Sequence, residues 1–136
     1  MTNAILMLDA YPKDLGDVDK AKLAECIDAC VTGSQTCTAC ADACLAEDMV
    51  KDLTDCIRTD LDCADLCDVT GRLLTRRTGH DTDLVFATLQ ACRTACRLCA
   101  QECEKHASRH EHCRICAEAC RRCEAACAAL IEQMMA

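Results

Sequence analysis

The spacing of its cysteine residues constrains the fold of this chain more than any other feature. The 17 cysteines form four groups, and every interval within a group is three, four or seven residues. Because an α-helix repeats every 3.6 residues, these intervals place each group on one face of a helix. The groups are Cys26, Cys30, Cys37, Cys40 and Cys44; Cys56, Cys63 and Cys67; Cys92, Cys96, Cys99 and Cys103; and Cys113, Cys116, Cys120, Cys123 and Cys127.

The first half of the chain is predicted to contain three helical segments, and Pro12 and Gly16 separate the first of them from the rest. A short helical segment is expected at about residues 3–10, before the first long helix. Asp17 is a suitable N-cap for that helix, which is predicted over about residues 18–46. Asp48 is expected to cap a second helix that ends near Arg77.

The second half of the chain has clearer helix boundaries. Gly79 suits the C′ position of the second helix, and Asp81 suits the N-cap of a third helix over about residues 82–106. Ser108 and Glu111 fit a capping box, so a fourth helix is predicted from about 109 to 134.

The predicted fold is therefore all-α. Four long helices joined by short turns favour an antiparallel up-down-up-down four-helix bundle with a short N-terminal helical segment. We expect residues 1–16 to form an N-terminal extension and residues 17–136 to form the bundle. The four cysteine stripes occupy the positions that face the bundle axis, where leucine usually lies.

Composition restricts the classes of function. A net charge of −8 argues against a nucleic-acid partner. No stretch approaches the roughly 20 apolar residues of a membrane span, and the N-terminus has no signal-peptide pattern. A cytoplasmic protein is therefore expected, and cytoplasmic thiols are kept reduced. The odd number of cysteines also prevents complete intramolecular disulfide pairing.

An interior lined with thiols predicts binding of a soft metal ion, and copper(I), zinc and iron–sulfur clusters all accept thiolates. Zinc takes four thiolates per closed site, so 17 cysteines would hold only about four ions. Copper(I) needs only two or three thiolate ligands, so a continuous stripe of cysteines fits copper(I) better than zinc. Pairs spaced i, i+4 could share an ion: Cys26/Cys30, Cys40/Cys44, Cys63/Cys67, Cys92/Cys96, Cys99/Cys103, Cys116/Cys120 and Cys123/Cys127.

Two polar residues interrupt the stripes. Asp60 continues the series 56-60-63-67 and is expected to point inward. Ser34 is predicted to lie on the same stripe as Cys30 and Cys37. Each of these residues either faces water or is a polar group that helps copper ions move along the core.

The two ends of the bundle are predicted to differ. His106 and His110 are in phase with the stripes, and Met49 extends the second stripe, so these three are candidate metal ligands at one end. His112 is one step out of phase. At the other end an apolar plug is expected, and copper is expected to enter at the histidine end. The plug residues are Leu23, Leu74, Leu89, Leu130, Val85 and Met134.

Two motifs make the chain similar to the cytosolic copper storage proteins of bacteria. They are Cys92-x-x-x-Cys96-x-x-Cys99-Ala-x-Glu102-Cys103 and His110-x-His112-Cys113-x-x-Cys116-Ala-x-x-Cys120-x-x-Cys123. The resemblance covers about residues 18–134. It implies a cysteine-rich four-helix bundle that holds many copper(I) ions, with histidines at its mouth, and a homotetramer of such bundles.

The expected function is storage and sequestration of copper(I), which protects the cell from copper toxicity. We expect a chaperone or a small thiol to deliver the copper. A zinc store of the metallothionein kind is the first alternative. A thiol oxidoreductase is the second, although it would need an exposed cysteine pair with a lowered pKa. We do not expect an enzyme.

Overall fold

The computed structural model describes residues 1–79 and 81–136 and contains a short helix followed by four long ones. The short helix α1 spans Ala4–Asp9, as expected near residues 3–10. The long helices are α2 (Lys20–Leu45), α3 (Thr54–Thr75), α4 (Thr82–Glu104) and α5 (Glu111–Met135). No strand occurs within the described ranges.

The four long helices form the predicted antiparallel bundle. Each helix packs against its neighbours in the order α2, α3, α4 and α5, and α5 closes the ring against α2. The α2–α5 pairing shows the antiparallel direction, because Cys26 contacts Cys127 at one end and Cys40 contacts Cys113 at the other. Among the described helices, none combines the length and apolar character needed to cross a bilayer.

Two N-cap predictions in the first half of the chain were wrong. The side chain of Asp19, not that of Asp17, accepts a hydrogen bond from the Lys22 backbone N–H and caps α2. Asp48 does not cap α3, because a 3₁₀ turn over Val50–Leu53 precedes that helix. Burial of the Leu53 side chain holds this turn against the bundle.

The helix boundaries in the second half of the chain agree better with the sequence prediction. Asp81 is the N-cap of α4, as predicted, and its carboxylate accepts hydrogen bonds from two backbone N–H groups. Gly79 has the expected positive φ of 60°, but it lies beyond Arg76, which caps α3. Residue 80, within this predicted break, lies outside the described residues.

The capping box predicted at Ser108 does not form. His110 is the N-cap of α5 and makes no side-chain capping bond. The backbone carbonyl of His106 accepts hydrogen bonds from the N–H groups of Arg109 and His110, so this turn is closed by backbone groups.

The predicted apolar plug is present at the end opposite this turn. Its four leucines are buried within one cluster, together with Val85, while Met134 packs against them. Leu8 of α1 is also buried in this cluster, so the short helix packs on the bundle. The interior therefore changes along its axis from leucine to cysteine.

Candidate metal site

All 17 thiols are free and buried in the bundle. Cys40, the cysteine with the greatest exposure, is only 2% exposed. The spacing rule therefore predicted the direction of every cysteine side chain correctly. It follows that one continuous interior surface consists of sulfur atoms, since all four helices contribute to it.

Sulfur atoms from different helices lie in contact. The Cys37 Sγ on α2 is 3.5 Å from that of Cys120 and 3.7 Å from that of Cys116, both on α5. It is also 4.0 Å from the Cys99 Sγ on α4. The Cys63 Sγ on α3 is 3.9 Å from that of Cys120. One thiolate could therefore bind the same ion as sulfur atoms from several other helices.

Sets of four thiols recur along the axis, and within each set all ligand atoms lie within 4.8 Å of one another. They include Cys30, Cys92, Cys123 and Cys127; Cys67, Cys92, Cys96 and Cys123; Cys37, Cys63, Cys99 and Cys120; and Cys40, Cys44, Cys56 and Cys113. Cys92 and Cys123 each belong to two sets, so neighbouring sets overlap. Overlap of this kind suits bridging thiolates.

Five of the seven predicted i, i+4 pairs bring their sulfurs close together. The Sγ atoms are 3.9 Å apart in Cys63/Cys67 and 4.0 Å apart in Cys99/Cys103. The pairs Cys40/Cys44, Cys92/Cys96 and Cys123/Cys127 each lie within 4.8 Å. Contacts between helices extend this pattern, and these could not be read from spacing along one helix.

The observed separations match what a metal–thiolate site needs. With metal–sulfur bonds of about 2.3 Å, two sulfurs bound to one ion lie about 3.8 Å apart in a tetrahedral site, about 4.0 Å in a trigonal site and about 4.6 Å in a linear site. Cys30 and Cys123 are 3.7 Å apart, and Cys56 and Cys103 are also 3.7 Å apart. Ions could thus bind with small side-chain movements.

Asp60 points into the sulfur core, as predicted, and is fully buried. Its Oδ1 atom accepts hydrogen bonds from the thiols of Cys99 at 3.1 Å and Cys103 at 3.3 Å. A third thiol, Cys116, donates to the same oxygen at 3.3 Å. Burial, followed by repulsion from neighbouring sulfurs, raises the pKa of this carboxyl to about 12. The metal-free protein therefore holds a neutral carboxylic acid there at pH 7.

Gly33, not Ser34, occupies the gap in the α2 stripe. Ser34 is only half-buried and lines a groove on the outer surface between α2 and α3. A Cβ atom on Gly33 would lie 3.0 Å from the Cys67 Sγ. The glycine therefore leaves space for a sulfur of the neighbouring helix. The predicted place of Ser34 on the stripe was wrong, while the alternative in which Ser34 faces water agrees with its position in the outer groove.

The two predicted histidines lie together with carboxylates at the end remote from the plug. His106 and His110 are each only 9% exposed, so this end is more closed than an open mouth. The His106 Nε2 lies 3.2 Å from a Glu102 carboxylate oxygen. The His110 Nδ1 lies 2.9 Å from the Glu47 Oε2.

His112 reaches the sulfur core although its phase along α5 argued against it. Its Nδ1 lies 3.4 Å from the Cys40 Sγ and 3.6 Å from the Cys113 Sγ, while its Nε2 hydrogen-bonds to Glu47 at 2.9 Å. Burial lowers the pKa of His112, but the hydrogen bonds with Cys40 and Glu47 outweigh burial and raise it above the ordinary value. These contacts join α5 to the start of the turn after α2, so spacing along one helix could not reveal them.

Met49 remains a candidate ligand on sequence grounds alone. It precedes the 3₁₀ turn near the histidine end, and its side chain is 44% exposed. Leu53, four residues later, takes the buried position that continues the α3 stripe.

Burial also affects the thiols nearest the histidines. It raises the pKa of Cys44 to about 11, and it raises the pKa of Cys113 above its ordinary value. These thiols are therefore protonated at neutral pH until a metal displaces the proton.

Comparison with known proteins adds independent information. Residues 19–132 match a protein family described as copper storage protein. The chain is 55% identical to Streptomyces lividans Ccsp, a copper storage protein whose structure was solved loaded with 10 copper equivalents; the TM-score is 0.93, with 95% of this chain and 98% of that chain covered.

A further structure and a further protein sequence are also similar to this chain. A structure of a cytosolic copper storage protein from Streptomyces lividans with five coppers is 56% identical, with a TM-score of 0.81, and covers 82% of this chain and 93% of that chain. An uncharacterized cysteine-rich protein of Bacillus subtilis, YhjQ, is 35% identical over 102 residues, which is 75% of this chain and 89% of that protein.

Proposed function

This chain belongs to the copper storage protein family, and we propose that it holds many copper(I) ions as thiolate complexes along the axis of its bundle. Storage in this form sequesters the ion and protects the cell from copper toxicity. The main observation that supports this proposal is the contact between buried sulfurs of different helices, such as the 3.5 Å distance between the Sγ atoms of Cys37 and Cys120. Bridging thiolates allow about one ion per thiolate, which balances charge inside a core of low dielectric constant.

Copper is proposed to enter at the histidine end. The plug at the other end offers only the thioether of Met134 as a soft ligand, whereas His106, His110 and His112 lie at the histidine end and His112 contacts the Cys40 thiol there. Imidazole nitrogens can hold copper(I) before it passes to thiolates. Replacing His106 and His110 together with alanine should slow loading and removal while leaving the final capacity close to that of the parent protein.

The assembly and supply of the protein are proposals of the same kind. We place the protein in the cytosol, where thiols stay reduced and where the five-copper Streptomyces relative is described. A homotetramer is proposed, and light scattering should then give about four times the chain mass of 14.8 kDa. A chaperone or a small thiol is the proposed donor of copper.

Anaerobic titration of the reduced protein with copper(I), in the presence of a competing chelator, tests the storage function. About 17 or more ions per chain would match the number of thiols, as expected for copper. A limit of about four ions would instead support a zinc-type store with four thiolates for each ion.

A thiol oxidoreductase is the remaining alternative, and burial of all 17 thiols argues against it because exchange requires an accessible thiolate. Incubation of the reduced protein with a model disulfide separates the two functions. We expect slow exchange, and rapid catalytic turnover would contradict the storage proposal.

A further inference from the structure

Glu47 lies at the point where two histidines meet. The same oxygen, Oε2, is 2.9 Å from the His110 Nδ1 and 2.9 Å from the His112 Nε2. The two imidazole rings are stacked, with their centroids 5.5 Å apart. Glu47 follows the last turn of α2, whereas both histidines begin α5, so this carboxylate ties two helices together.

A carboxylate can determine which ring nitrogen carries the proton. An ionised carboxylate only accepts hydrogen bonds, so each nitrogen that faces Glu47 must carry a hydrogen. The Glu47 side chain is 31% exposed, and a carboxylate in contact with water is ionised at neutral pH. In the neutral ring of His112 the lone pair therefore resides on Nδ1.

That lone pair lies among candidate metal ligands. The His112 Nδ1 is 3.4 Å from the Cys40 Sγ and 3.6 Å from the Cys113 Sγ, and these two sulfurs are 4.0 Å apart. One nitrogen and two sulfurs thus form a compact three-ligand set, which suits copper(I). With the other tautomer, Nδ1 would carry a hydrogen and could not bind an ion.

His106 shows a similar arrangement with a different carboxylate. Its Nε2 lies 3.2 Å from Glu102, and its buried Nδ1 has no hydrogen-bond partner among the described residues. At this end of the bundle, each of the three histidines therefore has one nitrogen held by a carboxylate. Such partners fix the orientation of metal-binding histidines and raise their basicity.

We propose that Glu47 is a positioning residue for copper uptake: it holds the rings of His110 and His112 in one orientation and one tautomer, so that the His112 Nδ1 joins Cys40 and Cys113 in capturing an incoming copper(I) ion. This inference rests on the proposed function, in which copper enters at the histidine end.

The test compares loading rates of the full-length reduced protein and its variants. Stopped-flow mixing with chelated copper(I) under anaerobic conditions would follow Glu47→Ala, Glu47→Gln and the neighbouring control Asp48→Ala, which removes the same charge from an exposed side chain. Circular dichroism would verify that each variant keeps its helices. ¹⁵N NMR of the metal-free proteins would report the tautomer of His112.

We expect Glu47→Ala to slow capture of the first ions, or to weaken their binding, by about 10- to 100-fold, because lost hydrogen-bond partners of metal ligands have effects of this size. The final capacity should be unchanged because every thiol remains. Glu47→Gln keeps an acceptor oxygen and should lose less, while Asp48→Ala should resemble the parent. The His112 tautomer should become mixed only in Glu47→Ala.

A double-variant comparison separates the possible failures. In a His110→Ala/His112→Ala background, adding Glu47→Ala should have no further effect, since Glu47 acts through these two rings. A further loss there, or equal losses in Glu47→Gln and Glu47→Ala, would overturn the positioning role. If the histidine replacements alone leave loading unchanged, copper does not enter at this end and the uptake proposal itself is wrong.

Discussion

The Oδ1 atom of Asp60 on α3 accepts a hydrogen bond from the Cys99 thiol of α4 at 3.1 Å, inside a core where the Asp60 side chain has no exposed surface. A carboxyl group in such surroundings is more stable when neutral, because burial penalises its ionised form. The metal-free bundle therefore keeps a proton on Asp60 that the unfolded chain releases.

The Asp60 proton makes the stability of the metal-free protein depend on pH. Folding raises the pKa of this group from about 3.9 in an unfolded chain to about 12. The folded state then binds one more proton, so the free energy of unfolding should fall as pH rises from about 5 to about 7.5. Asparagine is neutral in both the folded and the unfolded state. Asp60→Asn should therefore lower by about one the number of protons released on unfolding, which sets the slope of the unfolding free energy against pH. Urea denaturation at several pH values, with reductant and chelator present, measures the free energy of unfolding of both proteins. If this free energy changed equally with pH in both, Asp60 would be ionised in the folded state.

Loading with copper(I) should release protons. The thiols of Cys44 and Cys113 are protonated at neutral pH because burial raises each pKa, and a bound ion must displace the proton. We expect close to one proton per copper ion, measured with a pH indicator in weak buffer under anaerobic conditions. Release near zero would mean that deprotonated thiols are not what the ion binds.

Gly33→Ala should disturb copper binding more than it disturbs the fold. The added Cβ would lie 3.0 Å from the Cys67 Sγ, which would have to move away from its contacts with Cys96 and Cys123. Alanine favours the helix by roughly 1 kcal/mol over glycine, which offsets part of the steric cost. We expect weaker copper(I) affinity in chelator competition. Ser34→Ala is the matched control, and identical affinities for the two variants would contradict the role of Gly33.

The leucine plug should stabilise the bundle without taking part in binding. Leu89 is fully buried in this plug, and truncation of a buried leucine to alanine costs about 2–5 kcal/mol. Leu89→Ala should lower the free energy of unfolding by this amount and leave copper capacity unchanged. The exposed Leu84 provides the control, since Leu84→Ala should have little effect in the same denaturation experiment. A loss of capacity in Leu89→Ala that persists at low temperature would show that the plug also shapes the metal core.

The metal-free protein should be helical. The N-caps Asp19 and Asp81 and the ion pair between Arg122 and Glu25 do not depend on metal, and Leu23 and Leu130 pack without it. Circular dichroism of the reduced protein in excess chelator should show high helix content. A spectrum without helix would indicate that copper drives folding.

The series 56-60-63-67 predicted the inward direction of Asp60 because all its members obey one helical period. The interval of seven between Cys30 and Cys37 did not distinguish Gly33 from Ser34, since Gly33 lies three residues and Ser34 four residues after Cys30 and the two flank the stripe on opposite sides. Packing decided it, because only a residue without a Cβ fits beside Cys67. Helix ends were less predictable: Asp17 and Ser108 are good caps in principle, but Asp19 and the His106 carbonyl take those roles.

The sequence by itself determined the helical period and the faces that turn inward, because these follow from local geometry and from the exclusion of polar side chains from the interior. It thereby determined the sulfur core and the opposite characters of the two ends. Only the tertiary structure decided which sulfurs meet across helices and how Glu47 joins His110 to His112. Those contacts depend on the rotation and axial offset of each helix relative to its neighbours, and packing of the whole bundle sets both.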